Sequence, residues 1–237
     1  MRDQYAGDVS DAVKFGFLRA LAAADRRLGI AWYYALGHDG RPDGRHTSWM
    51  AEAAWQVLDP EVHSGLSQLA VRSIDALETA PFWPPGTLFH RDPVPEQGRQ
   101  AWAERMRAEL SAGNLIFLDP DNGIGNDSDK HASMSEIEML RERGRSVVLI
   151  TFPERKKHPK QVQDLHTTLL DSTGALSAVT LRVCVSVALA PQSPYTVPTF
   201  RWLTVLDADG DLLDRMKTFS KALNRIPRVK AELNIAP

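Results

Sequence analysis

The chain has 237 residues, 43% hydrophobic and 24% charged, which is enough apolar material for the core of one large globular domain. A net charge of −2 excludes bulk electrostatic attraction to nucleic acid or to an anionic membrane. The lone cysteine, Cys184, excludes an intrachain disulfide, and no window approaches the ~18 apolar residues of a membrane span. "MRDQYAGDVSD" lacks the apolar core of a signal peptide, so the expectation is a cytoplasmic protein with no membrane partner.

In chain order, "SDAVKFGFLRALAAADRRLG" carries apolar residues at Val13, Phe17, Leu18 and Leu21. That is helical spacing, with Asp8 or Ser10 as cap and Gly29 as stop. "IAWYYAL" (30–36) predicts a short strand that breaks into the turn-rich "GHDGRPDGRH". Residues 48–80 predict helices interrupted near Pro60, within a helical insertion at about 48–86, and "TLFHRDP" predicts a short strand. A helix over "EQGRQAWAERMRAEL" precedes the apolar strand 115–118, and a helix over "MSEIEMLRER" precedes the strand "SVVLITF". "PKQVQDLHTTLLDS" is helical, followed by strands at 178–190 and 199–207 and a closing helix, "DLLDRMKTFSKAL". Strands alternating with helices predict a Rossmann-like α/β three-layer sandwich with a mostly parallel sheet over residues 1–237. The last two strands have only "PQSPYTVP" between them, so they predict a C-terminal antiparallel hairpin.

Four polar constellations interrupt this pattern. Asp8, Asp11 and Lys14 share one side of the first helix, and Tyr5-Ala6-Gly7 before it permits a sharp turn or a close approach of ligand to backbone. The loop after the first strand concentrates Gly37, His38, Asp39, Arg45 and His46, at the place where Rossmann-like proteins put a ligand loop, although G-x-G-x-x-G is absent. The run Leu115–Leu118 stops at Asp119, followed by Pro120, Asp121, Asn122 and Gly123. Two carboxylates and an amide at a strand end suit a divalent cation such as Mg²⁺ or Mn²⁺, or an aspartate nucleophile of a phosphohydrolase. Alternatively they form an Asx-turn into a helix. Carboxylates this close repel, so one carboxyl is expected to titrate high unless a cation, Lys14, Arg45 or Arg155 compensates. Finally, Arg155 and Lys156 in "FPERKKHPKQ" follow another strand end, where they can meet a phosphate backbone or form a solvated face.

Together "YAGDVSDAVKF", "IAWYYALGHDG", "LIFLDPDNGI", "VVLITFPERKK" and "SVALAPQSPYTVPTFRWLTVLDAD" resemble, in order, the bacterial large-subunit ribosomal RNA adenine-N6 methyltransferases. Those are Rossmann-fold enzymes using S-adenosylmethionine, with an H-A-G-x-x-x-D-x-x-K-H opening and a D-P-P-Y tetrad. Ala6, Gly7, Asp11 and Lys14 match the opening, and Asp119 and Pro120 match the first half of the tetrad. The resemblance implies an enzyme acting on an amine of RNA, DNA or a nucleotide, with Asp119, Asp121 and Asn122 at the reacting centre. It implies cofactor contacts from Tyr5, Gly7, Lys14 and Asp92; the loop after the first strand adds Gly37, His38 and Asp39 as cofactor contacts, and the polar loop and basic run add Arg45, His46, Arg155 and Lys156 as substrate contacts. Asp121 and Asn122 stand where the family has its second proline and stacking tyrosine. Two other functions fit the same residues: a metal-dependent phosphoester hydrolase or nuclease using Asp119 and Asp121, and a non-catalytic binding module on this fold.

Overall fold

The structure, a computed structural model, describes residues 1–37, 40, 46–125, 128–153, 158–188 and 195–236. A 3₁₀ turn, Asp3–Tyr5, leads into α1 (Val9–Ala22), whose N-terminus is capped by the Asp8 carboxylate accepting from the Ser10 N–H. Strand β1 (Leu28–Ala31) follows. Between β1 and the next strand come a 3₁₀ turn at Ser48–Ala51 and the short helices α2 (Ala53–Gln56), α3 (Pro60–Ser67) and α4 (Ile74–Glu78). Next come β2 (Leu88–His90), α5 (Arg99–Glu109), β3 (Leu115–Leu118), and the two-residue strands β4 (Gly123–Ile124) and β5 (His131–Ala132). Then α6 (Met134–Leu140), β6 (Ser146–Thr151) and α7 (His158–Thr173) precede β7 (Ala178–Ala188) and β8 (Thr196–Leu206). Helix α8 (Gly210–Leu223) and strand β9 (Val229–Ile235) end the element order.

The main sheet has seven strands in the order β2-β1-β3-β6-β8-β7-β9. Neighbours β2, β1, β3 and β6 are parallel, and β8, β7 and β9 join by antiparallel pairing. The expected hairpin is present, with β7 and β8 paired from Ala178↔Leu206 to Ala188↔Thr196. Alternation along the strands sorts the core onto two faces. Leu115, Phe117, Val148 and Ile150 face α1, α8 and the short helices α2 to α4; Ile116, Leu118, Val147 and Leu149 face α5, α6 and α7. Helix layers on both faces of the sheet make the predicted three-layer α/β sandwich.

Three expectations shift. The first strand runs 28–31 rather than 30–36, and the extended chain beyond it is tied on by the Trp32 N–H donating to His90 O and by a Tyr34–Pro93 bridge. Gly29 lies inside that strand, not at the helix end, and α1 instead stops at Ala23, a non-glycine residue at φ 42°. A Cβ at position 29 would sit 2.7 Å from Ile116 Cδ1, so glycine there allows β1 and β3 to pack. The last helix does not close the fold, because "VKAELNI" adds β9 to the sheet edge beside β7.

Candidate active site

The chain runs from β1 outward to β2, then returns to place β3 on the other side of β1. Strand order therefore reverses between β1 and β3, and in open α/β sheets ligands bind beyond the carboxyl ends of the strands at that point. Asp119 is the first residue past β3, fixed there by its own N–H donating to Ala31 O at 2.9 Å. Gly123 shapes the loop that follows. It has φ +95°, and a Cβ would lie 2.9 Å from Thr151 Cα, so this loop presses directly onto the end of β6.

Asp119 does not meet the opening helix by chance. Lys14 Nζ donates to Asp119 Oδ2 at 2.8 Å and Oδ1 at 3.1 Å, and lies 2.7 Å from Asp11 Oδ1. Asp11 Oδ2 in turn accepts from the Gly7 N–H at 2.7 Å, where Gly7 makes the turn into the helix at φ +79°. All three side chains are buried. Burial pushes the Asp11 carboxyl up to about 6, with Lys14 opposing it. Burial also works to lower the Lys14 ammonium, but Asp11 and Asp119 outweigh it and hold it above its ordinary value. The expected repulsion is thus relieved at Asp119 by Lys14. Asp121 points elsewhere, with Oδ1 2.7 Å from the Met1 amino nitrogen, which also donates to Tyr33 O.

These groups open onto a cleft of about 340 Å³ whose walls come from separate parts of the chain. Tyr5, Lys14, His46, Asp119, Asp121 and Asn122 all line it, as expected of one site. Gly7 and Gly37 act through backbone instead: Gly7 O accepts from Trp49 Nε1, and Gly37 is exposed, its carbonyl accepting from Arg2. Asp92 is not at the cleft, because its carboxylate pairs with Arg105 on the surface. His38, Asp39, Arg45, Arg155 and Lys156 lie outside the described residues.

The cleft also holds residues that the sequence reading missed, namely Phe152, Lys130, Ser10, Thr199 and Arg201. Arg201 carried a legible signal: it shares its side of β8 with Leu203 and Val205, both in the core cluster, so a guanidinium interrupts an inward row. Burial pushes that guanidinium below its ordinary value, against the charge of Asp8. Phe152 carried no signal, since its place depends on β6 ending beside β3.

A second cleft, about 920 Å³, lies beyond β1 and β2, lined by Tyr34, Leu36, Pro93, Val94, Arg99 and Glu136 among others. At its base Glu136 accepts from Tyr33 Oη at 2.8 Å and from Arg99 Nε at 2.6 Å. Burial, with Glu136 beside it, pushes the Tyr33 phenol well above its ordinary value, so it stays a donor.

No family model and no curated protein matches this chain. Solved structures do match, among them the crystal structure of a Legionella pneumophila protein carrying the family-model designation DUF519. It is 11% identical to this chain with a TM-score of 0.45, and the match covers 97% of each chain. At that score the likeness adds nothing to what the sheet order itself establishes. No helix among the described residues is long and apolar enough to cross a membrane.

Proposed function

We propose that this chain is a methyltransferase-like enzyme that uses S-adenosylmethionine and acts on an amine of a nucleic acid or nucleotide. The observation that carries the reading is Asp119: a buried carboxylate at the carboxyl end of a central strand, at the reversal of strand order, facing a nucleotide-sized cleft with Asn122 beside it. Asp119 accepts an N–H of the target amine, and Lys14 fixes the orientation of its carboxylate. Asn122 offers a second polar contact to the same base edge. Tyr5 and the partly exposed Phe152 supply aromatic surface in the cleft, which takes over the platform that position 122 lacks.

The larger cleft fits a nucleoside cofactor in size and character. Tyr34, Leu36, Pro93 and Val94 give an apolar wall for a base, and Glu96 and Arg99 give polar ends. S-adenosylmethionine, when bound, supplies an electrophilic methyl group. A hydrolase using Mg²⁺ or Mn²⁺ on Asp119 and Asp121 has weaker support. The two carboxylates face different cations, and among the described residues no three acidic, histidine or cysteine side chains converge on one point.

The test is thermal shift of the full chain with S-adenosylmethionine or its demethylated product, against Mg²⁺ or Mn²⁺. A ligand at 100 times its dissociation constant stabilises by about 2.7 kcal/mol. For a chain of this size that raises Tm by about 5–11 °C. A shift with the metal ions alone would replace this reading with the hydrolase, and no shift with any of them would leave a binding module.

A further inference from the structure

Arg201 is a buried charge with no ion pair among the described residues. Only 2% of it is exposed, yet it lines the cleft that holds Asp119. Its two hydrogen bonds among the described residues go to neutral hydroxyls: Nε donates to Ser10 Oγ at 3.2 Å and Nη2 to Thr199 Oγ1 at 2.9 Å. Nη1 is shielded from solvent and has no acceptor among the described residues. Asp8 supplies the main opposing charge, but no hydrogen bond or ion pair among the described residues joins it to the guanidinium: its Oδ1 accepts from the Ser10 N–H and its Oδ2 from the His46 N–H. A buried guanidinium bonded only to hydroxyls is costly, and the shape of its donor fork matches phosphate. Lys130 and His46 line the same cleft, Lys130 adding a positive charge and His46 an imidazole.

We propose that Arg201, with Ser10, Thr199, His46 and Lys130, forms a phosphate subsite, so that the cleft takes a phosphorylated nucleoside unit rather than a free nucleoside. The proposal rests on the reading that the Asp119 end of the cleft receives a base. Ser10 and Thr199 orient the guanidinium while the cleft is empty of anion, and the phosphate takes over as its acceptor when the nucleotide enters. Asp119 and Asn122 then meet the base edge at one end while Arg201 anchors the backbone at the other.

The test uses the full chain and calorimetric binding of adenosine, adenosine 5′-monophosphate, a five-residue single-stranded RNA and S-adenosylhomocysteine. The wild type is expected to bind the monophosphate at least about tenfold more tightly than adenosine, as a charge-assisted hydrogen bond implies. Inorganic phosphate should compete with the monophosphate and not with adenosine. Arg201→Gln should erase the difference between monophosphate and nucleoside, leave S-adenosylhomocysteine binding unchanged, and melt no lower than the parent. RNA binding tighter than the monophosphate, lost in Arg201→Gln, assigns the phosphate to a polynucleotide backbone; preference for the monophosphate assigns it to a free nucleotide. Equal affinity of the wild type for adenosine and its monophosphate would overturn the subsite, whatever the variant does. Equal weakening of both by Arg201→Gln would make the arginine structural. Failure of S-adenosylhomocysteine to bind would instead remove the methyltransferase reading, leaving the phosphate contrast to be judged by itself.

Discussion

Replacing Lys14 with methionine removes the one ammonium that Asp11 and Asp119 share. The parent holds Nζ 2.7 Å from Asp11 and 2.8 Å from Asp119, with both carboxylates at most 2% exposed. Methionine keeps most of the volume, so packing changes little and the electrostatic loss dominates. Removing one partner of a buried ion pair costs about 3–5 kcal/mol, because the remaining charge stays desolvated. At about 2–4 °C per kcal/mol for this chain length, Tm should fall by about 6–20 °C at pH 8. The loss should shrink with acid. Burial already pushes the Asp11 carboxyl up to about 6, above its unfolded value, and Lys14 is the main force pulling it down. Without Lys14 it rises further, so between about pH 4 and that raised value the folded variant binds more protons than the unfolded chain. Its stability is then lost as pH rises through the window and recovered as pH falls. Melting curves from pH 5 to 8 measure this, and Lys14→Met with Asp11→Asn should regain part of the loss at pH 8. A penalty equal at pH 5 and pH 8, or below about 1 kcal/mol throughout, would refute the buried carboxylate–ammonium–carboxylate arrangement.

Asp119→Asn keeps shape and leaves Lys14 paired with Asp11, so Tm should move by no more than a few degrees while turnover falls about 100-fold or more. A variant that reacts like its parent would reduce Asp119 to a turn residue. Gly123→Ala forces a Cβ to within 2.9 Å of Thr151 Cα at a left-handed φ, so about 1–3 kcal/mol of stability should go, together with ligand affinity. An unchanged Tm would mean that the loop is not pinned to β6. Deleting residues 1–7 removes Tyr5 and the Gly7 N–H that Asp11 accepts, and should abolish ligand binding with the far-ultraviolet spectrum retained. Unaltered affinity in that truncation would take the opening segment out of the site.

The sequence by itself determined most of the elements and one pole of the site. Short uninterrupted apolar runs at 115–118 and 147–150, bounded by polar and turn residues, read as strands buried on both faces, and their company of amphipathic helices makes the sheet mostly parallel. The abrupt stop at Asp119 marked where that sheet presents polar groups, and Asp8 or Ser10 marked the start of α1, the structure making Asp8 the cap. Strand β9, which the reading that ended at the last helix missed, carries a signal in the strict alternation of Val229, Ala231, Leu233 and Ile235 with Lys230, Glu232 and Asn234. What tertiary structure alone decided is which distant residues share the cleft. Lys14 and Asp119 are 105 positions apart and meet because α1 packs over the strand-order reversal between β1 and β3. Ser10 and Arg201 are 191 apart and meet because β8 inserts antiparallel between β6 and β7, turning its Thr199–Arg201 side toward that same helix. Local spacing fixes which face of an element is polar. It carries no information on which element lies opposite, because that is set by the sheet order into which all the buried faces can pack at once.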